Sequence, residues 1–295
     1  MMARRSLLSA LLALAGCGRP ASGAVSGSTQ AATLLARMDA MALPCISLRA
    51  GGKPSIGKIG GRPYMAGGVD WPLWKDAPLA FLGQLDLAGL RLAGGPGWLP
   101  EKGALFFFYD AEQSTWGFDP ADLGSWRVIH DPAGFADSPR DPPSGLPAHG
   151  VYRERPLGGR IARSWPDAEL VDLPVPDVDG PDWAAYEKRL DAAAPKDGPA
   201  HQVGGHPAAI QSSGMALECQ LASNGVDVGG PEGYQSPRRK ELEPGAKDWR
   251  LLLQLDSDDD AGMMWGDVGR LYFWVREEAA RRGDFAGAWM ILQSS

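Results

Sequence analysis

LAFLGQLDLAGLRLAGGPGWLPEKGALFFFYD, residues 79–110, decides how this chain reads, because its skeleton returns as RLLLQLDSDDDAGMMWGDVGRLYFWV, residues 250–275. Both stretches run Gln-Leu-Asp, then a glycine-rich break, then Gly-x-Leu-x-Phe. Upstream of each stands a Gly-Gly-x-Pro: Gly60-Gly61-Arg62-Pro63 before the first, Gly204-Gly205-His206-Pro207 before the second. Three features recurring in one order predict an internal duplication. Each Gln-Leu-Asp segment has the character of a strand whose side chains alternate between faces. That places Phe81, Leu85 and Leu87 against Leu82, Gln84 and Asp86, and Leu251, Leu253 and Leu255 against Leu252, Gln254 and Asp256. The aromatic runs at 104–109 and 270–275 fit as neighbouring strands, so each copy is predicted to be two antiparallel strands joined by an excursion.

Working outward, residues 1–16 read as an address. Arg4 and Arg5 form a basic n-region, residues 7–15 an apolar run too short to span a bilayer, and Leu14-Ala15-Gly16-Cys17 resembles the bacterial lipobox. The resemblance implies cleavage before Cys17 and lipidation of its thiol; a plain cleaved signal peptide is the alternative. Export by the general or the twin-arginine route both fit. The expected location is the cell envelope: lipid-anchored, facing the periplasm, and at the outer rather than the inner membrane given Gly18. Residues 17–33, rich in Ala, Gly, Ser and Pro, read as a flexible tether. Residues 34–41 have helical spacing and open a folded part running to 295.

Within 34–295, residues 55–74 read mostly as loop, punctuated by two Gly-Gly pairs and two prolines, and residues 110–200 as an irregular segment rich in Pro, Gly and Asp. Inside the latter, 126–130 and 150–161 are candidate strands. Residues 182–194 form the clearest helix, with Trp183, Tyr186, Leu190 and Ala193 on one face and Pro195 as its stop. The 295-residue chain carries a net charge of -7 and is 44% hydrophobic with 11 tryptophans. That composition supports a sizeable core and argues against nucleic acid as partner, since phosphate binding requires a basic face.

Gly57 to Tyr64, Asp70-Trp71-Pro72, Pro78-Leu79 through Gly83-Gln84-Leu85-Asp86, Leu99-Pro100 and Gly103 to Phe107 form an ordered set. It continues through Gly205-His206-Pro207, Ile210-Gln211, Leu252 to Asp256, Trp265-Gly266-Asp267 and Gly269 to Phe273. Together these resemble the YwqG-like family of uncharacterised bacterial proteins, over most of the chain after about residue 34. The resemblance implies an α+β fold, a strand-rich single domain built from two related halves. It carries no activity or catalytic residues, and the lipobox departs from the plain members of that family.

Several constellations invite chemistry. Gln84, Asp86, Gln254 and Asp256 form a candidate polar site if the duplication brings both pairs together; alternatively, each amide bonds the backbone of the opposite half. Asp256, Asp258, Asp260 and Asp267 have calcium-like spacing, but the glycine comes late and strands flank the loop, so a solvated acidic connection competes. With Cys17 assigned to the lipobox, Cys45 and Cys219 form either a disulfide or two separately buried thiols. His201 and His206 with Cys219 match no compact zinc spacing, and His130 and His149 read as loop residues. Trp116 and Trp165 are the tryptophans in polar contexts, where a glycan would stack. No Gly-x-Ser-x-Gly, His-Glu-x-x-His or Walker loop occurs. The expectation is therefore an envelope-anchored, non-enzymatic module that binds another envelope or secreted protein without a cofactor. A glycan- or calcium-binding module and a hydrolase with an unrecognised site are the alternatives.

Overall fold

A computed structural model describes residues 27–53, 55–167, 170, 183–193 and 198–295. The signal segment and Cys17 lie outside the described residues. The strands are β1 (Leu43–Ala50), β2 (Ser55–Ile59), β3 (Leu73–Trp74), β4 (Ala77–Pro78), β5 (Ala80–Asp86), β6 (Ala104–Tyr109) and β7 (Trp126–Asp131). They continue with β8 (Arg155–Ser164), β9 (Gln202–Val203), β10 (Trp249–Asp256), β11 (Arg270–Arg276) and β12 (Trp289–Gln293). Ten of them form one antiparallel sheet in the order β12-β11-β10-β9-β1-β8-β2-β5-β6-β7, and β3 pairs β4 apart from it. The helices are short: α1 (Gly27–Ala40), α2 (Leu87–Leu92), α3 (Trp183–Ala193), α4 (Met215–Ala222), α5 (Pro231–Tyr234), α6 (Arg239–Leu242) and α7 (Glu277–Arg281). The fold is a strand-rich α+β single domain. No helix among the described residues is long and apolar enough to cross a membrane.

The predicted pairings hold: β5 lies beside β6 and β10 beside β11. Every residue of β6, ALFFFY, is buried, as a strand covered on both faces requires. Leu105, Phe107 and Tyr109 enter the main core, whereas Ala104, Phe106 and Phe108 face a second cluster built from Met65, Trp71, Leu79 and Phe81. Strict alternation fails in β5. A bulge between Phe81 and Gly83 turns Phe81 to the outer cluster while Leu82 joins Leu85 in the main core. The pairing shifts at the matching place in β10, between Leu251 and Leu253.

Other differences lie at the borders. Residues 55–59, read as loop, are β2, which pairs with β5 and β8. Helix α1 begins at Gly27 and takes in the end of the segment read as tether. It meets α3, where Leu34 and Met38 are buried with Trp183 against them. Strand β8 begins at Arg155, beyond the expected start at 150, and pairs along all of β1 in the middle of the sheet.

The sheet curls until its two edges nearly meet. Trp126 of β7 and Trp289 of β12 stand edge to face with ring centroids 4.9 Å apart, and Trp126 Nε1 donates to the Ala288 carbonyl at 2.9 Å. Between them runs the main core, crossed by Phe107 and Phe273 at 5.3 Å.

Candidate functional site

Both Gly-Gly-x-Pro segments fold the same way. Gly60 and Gly61 have φ of 60° and 69°, Gly204 and Gly205 70° and 73°: two consecutive left-handed residues, a conformation glycine adopts without a Cβ penalty. Such a turn turns its backbone groups away from any ladder, and buried backbone groups require partners. Side chains from the adjoining strands supply them. Lys58 Nζ on β2 donates to the Arg62 carbonyl at 2.6 Å; Gln202 Nε2 on β9 donates to the His206 carbonyl at 2.8 Å. Gln84 Oε1 on β5 accepts from Tyr64 N at 2.8 Å, and Gln254 Oε1 on β10 from Ala208 N at 2.8 Å. Each turn is thus clamped by one donor onto the residue before its proline and one acceptor for the residue after it.

This geometry corrects the expected placement of the polar pairs. Strands β5 and β10 are separated by β2, β8, β1 and β9, so Gln84 and Gln254 are not brought together. Each amide bonds backbone of its own copy rather than of the opposite one; Gln254 Nε2 also donates to the Ala200 carbonyl at 2.5 Å. Asp86 caps α2, accepting from Ala88 N and Gly89 N at 3.1 Å each. Asp256 accepts from Ala200 N at 2.7 Å and from Arg270 Nε at 2.8 Å. Lys58 and Gln202 were not singled out in the sequence, although both stand two residues before a Gly-Gly pair. Lys58 differs from its counterpart in carrying charge: buried, it lies 4.6 Å from the Tyr64 ring centroid and donates to Glu154 Oε2 at 2.6 Å.

The acidic loop is buried at its start and solvated further on, where Asp259 and Asp260 are exposed. Asp256 and Asp258 are 8% and 4% exposed. His201 Nδ1 accepts from Asp256 N at 3.0 Å, which leaves the ring proton on Nε2, 3.5 Å from Asp258 Oδ2. His201 is the main influence holding the Asp258 carboxyl below its usual range, against its burial and aided by the Ala261 N–H. Asp260 pairs with Arg155 at 2.5 Å, and the Asp259 and Asp260 carbonyls accept from Arg153. Asp267 is exposed, its carbonyl accepting from Ser295 N. Arginines therefore stand where the calcium reading placed a cation, and no group of three or more His, Cys, Asp or Glu among the described residues is placed to hold a metal.

Cys45 and Cys219 are two separate buried thiols, the first on β1 and the second inside α4, so the disulfide is replaced by its alternative. Burial pushes both thiols up, away from nucleophilic character. His206 Nε2 is 2.9 Å from the Met41 carbonyl, and burial lowers its pKa. His130 ends the candidate strand at 126–130 rather than lying in a loop: it sits on β7 with Nδ1 3.1 Å from the Gly283 carbonyl. Trp165 donates to Asp39 at 2.8 Å beneath the Arg189 guanidinium, while Trp116 is 38% exposed.

A cleft of about 300 Å³ opens where the sheet edges approach without joining, which is small for a ligand pocket. Leu123, Trp126, Arg127 and Val128 line one wall, Ala286 and Ala288 the other.

A family model described as a domain of unknown function (DUF1963) matches residues 57–294. A search of curated proteins gave no match.

Proposed function

The chain belongs to the DUF1963 family, a domain of unknown function, and on that premise we propose that it is an envelope-anchored, non-enzymatic module that binds another envelope or secreted protein. One observation carries the reading. The polar residues that recur in the motif, Lys58, Gln84, Gln202 and Gln254, are committed to holding backbone turns of the chain itself. Side chains so committed are poor candidates for reaction with a substrate, so the motif is explained as architecture. The finer family reading, YwqG-like, and the origin of the domain in a duplication belong to this proposal. The duplication is supported by the matching clamps and by the matching strand irregularities in β5 and β10. The anchor rests on the lipobox resemblance at Cys17.

The test is affinity capture from detergent-solubilised native envelopes, using the full chain exported and lipidated in its own host. One protein recovered near stoichiometrically, over a Cys17→Ala control that is released from the membrane, is the expected result. Turnover in a broad hydrolase panel, lost on Asp86→Asn or Asp256→Asn, would replace this reading with the enzymatic one.

A further inference from the structure

The two edges of the ten-stranded sheet are treated differently. The β12 edge is covered by the chain's own backbone: Leu292 N donates to the Trp116 carbonyl at 3.0 Å, and Trp289 Nε1 to the Gly117 carbonyl at 2.7 Å. This covering segment lies so close that a Cβ on Gly117 would run into the Met290 carbonyl oxygen, and Gly117 has φ of +83°. At the other edge, among the described residues, β7 pairs with β6 on one side only. Its far side is bridged by side chains: Trp126 reaches the Ala288 carbonyl and His130 the Gly283 carbonyl. Trp126, Val128 and His130 stand opposite the inward-facing Tyr109, Phe107 and Leu105, so this bridge lies on the inner face. Beside it the cleft between β7 and Ala286–Ala288 is left open.

A strand edge presents a row of N–H and C=O groups that an extended peptide satisfies by adding to the sheet. The β12 edge shows what these edges accept, which is a closely laid stretch of main chain. We propose that the β7 edge receives an extended segment of the partner protein as an added strand, laid in the cleft between Trp126–Val128 and Ala286–Ala288. The segment carries small or apolar side chains toward Leu123 and Ala288. It places a carboxylate near Arg127, the one charged residue lining the cleft among the described residues. This deepens the interaction reading and rests on it.

The experiment pans a display library of proline-free peptides of about six residues, the usual span of a strand, against the folded full-length protein. Selected peptides are then tested on Ala286→Trp, which fills the cleft from an exposed position, and on Arg127→Glu, with melting temperatures confirming that both variants fold. The expected result is peptides rich in β-formers with an acidic residue. They slow amide exchange in Trp126–Asp131 and bind Ala286→Trp at least about tenfold more weakly, with Arg127→Glu disfavouring the acidic ones. Failure to select any such peptide, protection elsewhere, or equal binding to Ala286→Trp overturns the proposal. Envelope capture separates the two claims: a partner held equally by Ala286→Trp leaves the interaction reading standing and removes this edge as its site, whereas the absence of any partner removes the reading itself.

Discussion

Gln84 and Gln254 are buried because each answers a backbone N–H that a double-glycine turn cannot satisfy by itself. Stranding such a buried group costs about 1–3 kcal/mol, so both alanine variants should lower stability in urea unfolding. Gln254→Ala should lower it more, since it abandons the Ala208 N–H and the Ala200 carbonyl together. Unchanged unfolding midpoints would dismiss the clamp. Glu218 poses the opposite case. It is 1% exposed on α4 and accepts from the Tyr234 hydroxyl at 3.0 Å, while its Oε2 lacks a partner among the described residues. Burial raises its pKa above the ordinary 4.5, outweighing the lowering by Tyr234 and Ser212. Arg239, which donates to the Tyr234 carbonyl, and Arg276, bonded to Gln220, are the nearby cations. With the folded pKa above the unfolded one, stability is full below about pH 4.5 and declines as pH rises through the folded value. Glu218→Gln should therefore flatten the pH profile of the melting temperature across that window and raise stability at neutral pH. An unchanged slope would show that the carboxyl is charged in the fold. In the sequence the paired glutamines stood out because they recur; their partners did not, because a hydrogen bond across a turn depends on backbone geometry that residue spacing leaves open.

At the scale of elements, the strands that were legible are those with long apolar or aromatic runs, β5, β6, β10 and β11. Strand β2 was read as loop because SIGKI is short and runs directly into the double-glycine turn, and the two-residue β9 is too short for any period to register. Alternation misassigned Phe81 because one inserted residue, at the bulge, exchanges the faces of everything before it. The burial of Asp256 and Asp258 within the acidic loop was not legible because their partners, Arg270 and His201, come from distant or opposed positions. A prediction at this scale concerns the covering of β12. Gly117→Ala places a Cβ on a residue at positive φ and against Met290, and left-handed strain alone costs about 1–3 kcal/mol. Amide exchange in Trp289–Gln293 should quicken, and aggregation on heating should increase as the edge is uncovered. Normal protection of β12 in this variant would mean that the segment at 116–117 does not guard the edge.

For the whole molecule, the two copies of the motif are separated in the sheet by β1 and β8, strands that belong to neither copy and that join them into one ten-stranded sheet. The recurring motif did not reveal that the outermost strands curl round to meet through Trp126 and Trp289. The two motif segments also meet in the interior through Phe107 and Phe273, which occupy matching places in the Gly-x-Leu-x-Phe segments and meet at 5.3 Å. Removing either buried ring should cost about 3–5 kcal/mol. Because they touch, the losses should not add: the double variant Phe107→Ala/Phe273→Ala should depart from the sum of the singles by about 0.5–3 kcal/mol. Calorimetry of the wild-type domain should accordingly give a single transition whose calorimetric and van't Hoff enthalpies agree. Additive losses together with two resolved transitions would mean that each half melts on its own. The nearly closed sheet would then be a docking of two independent units rather than one cooperative fold.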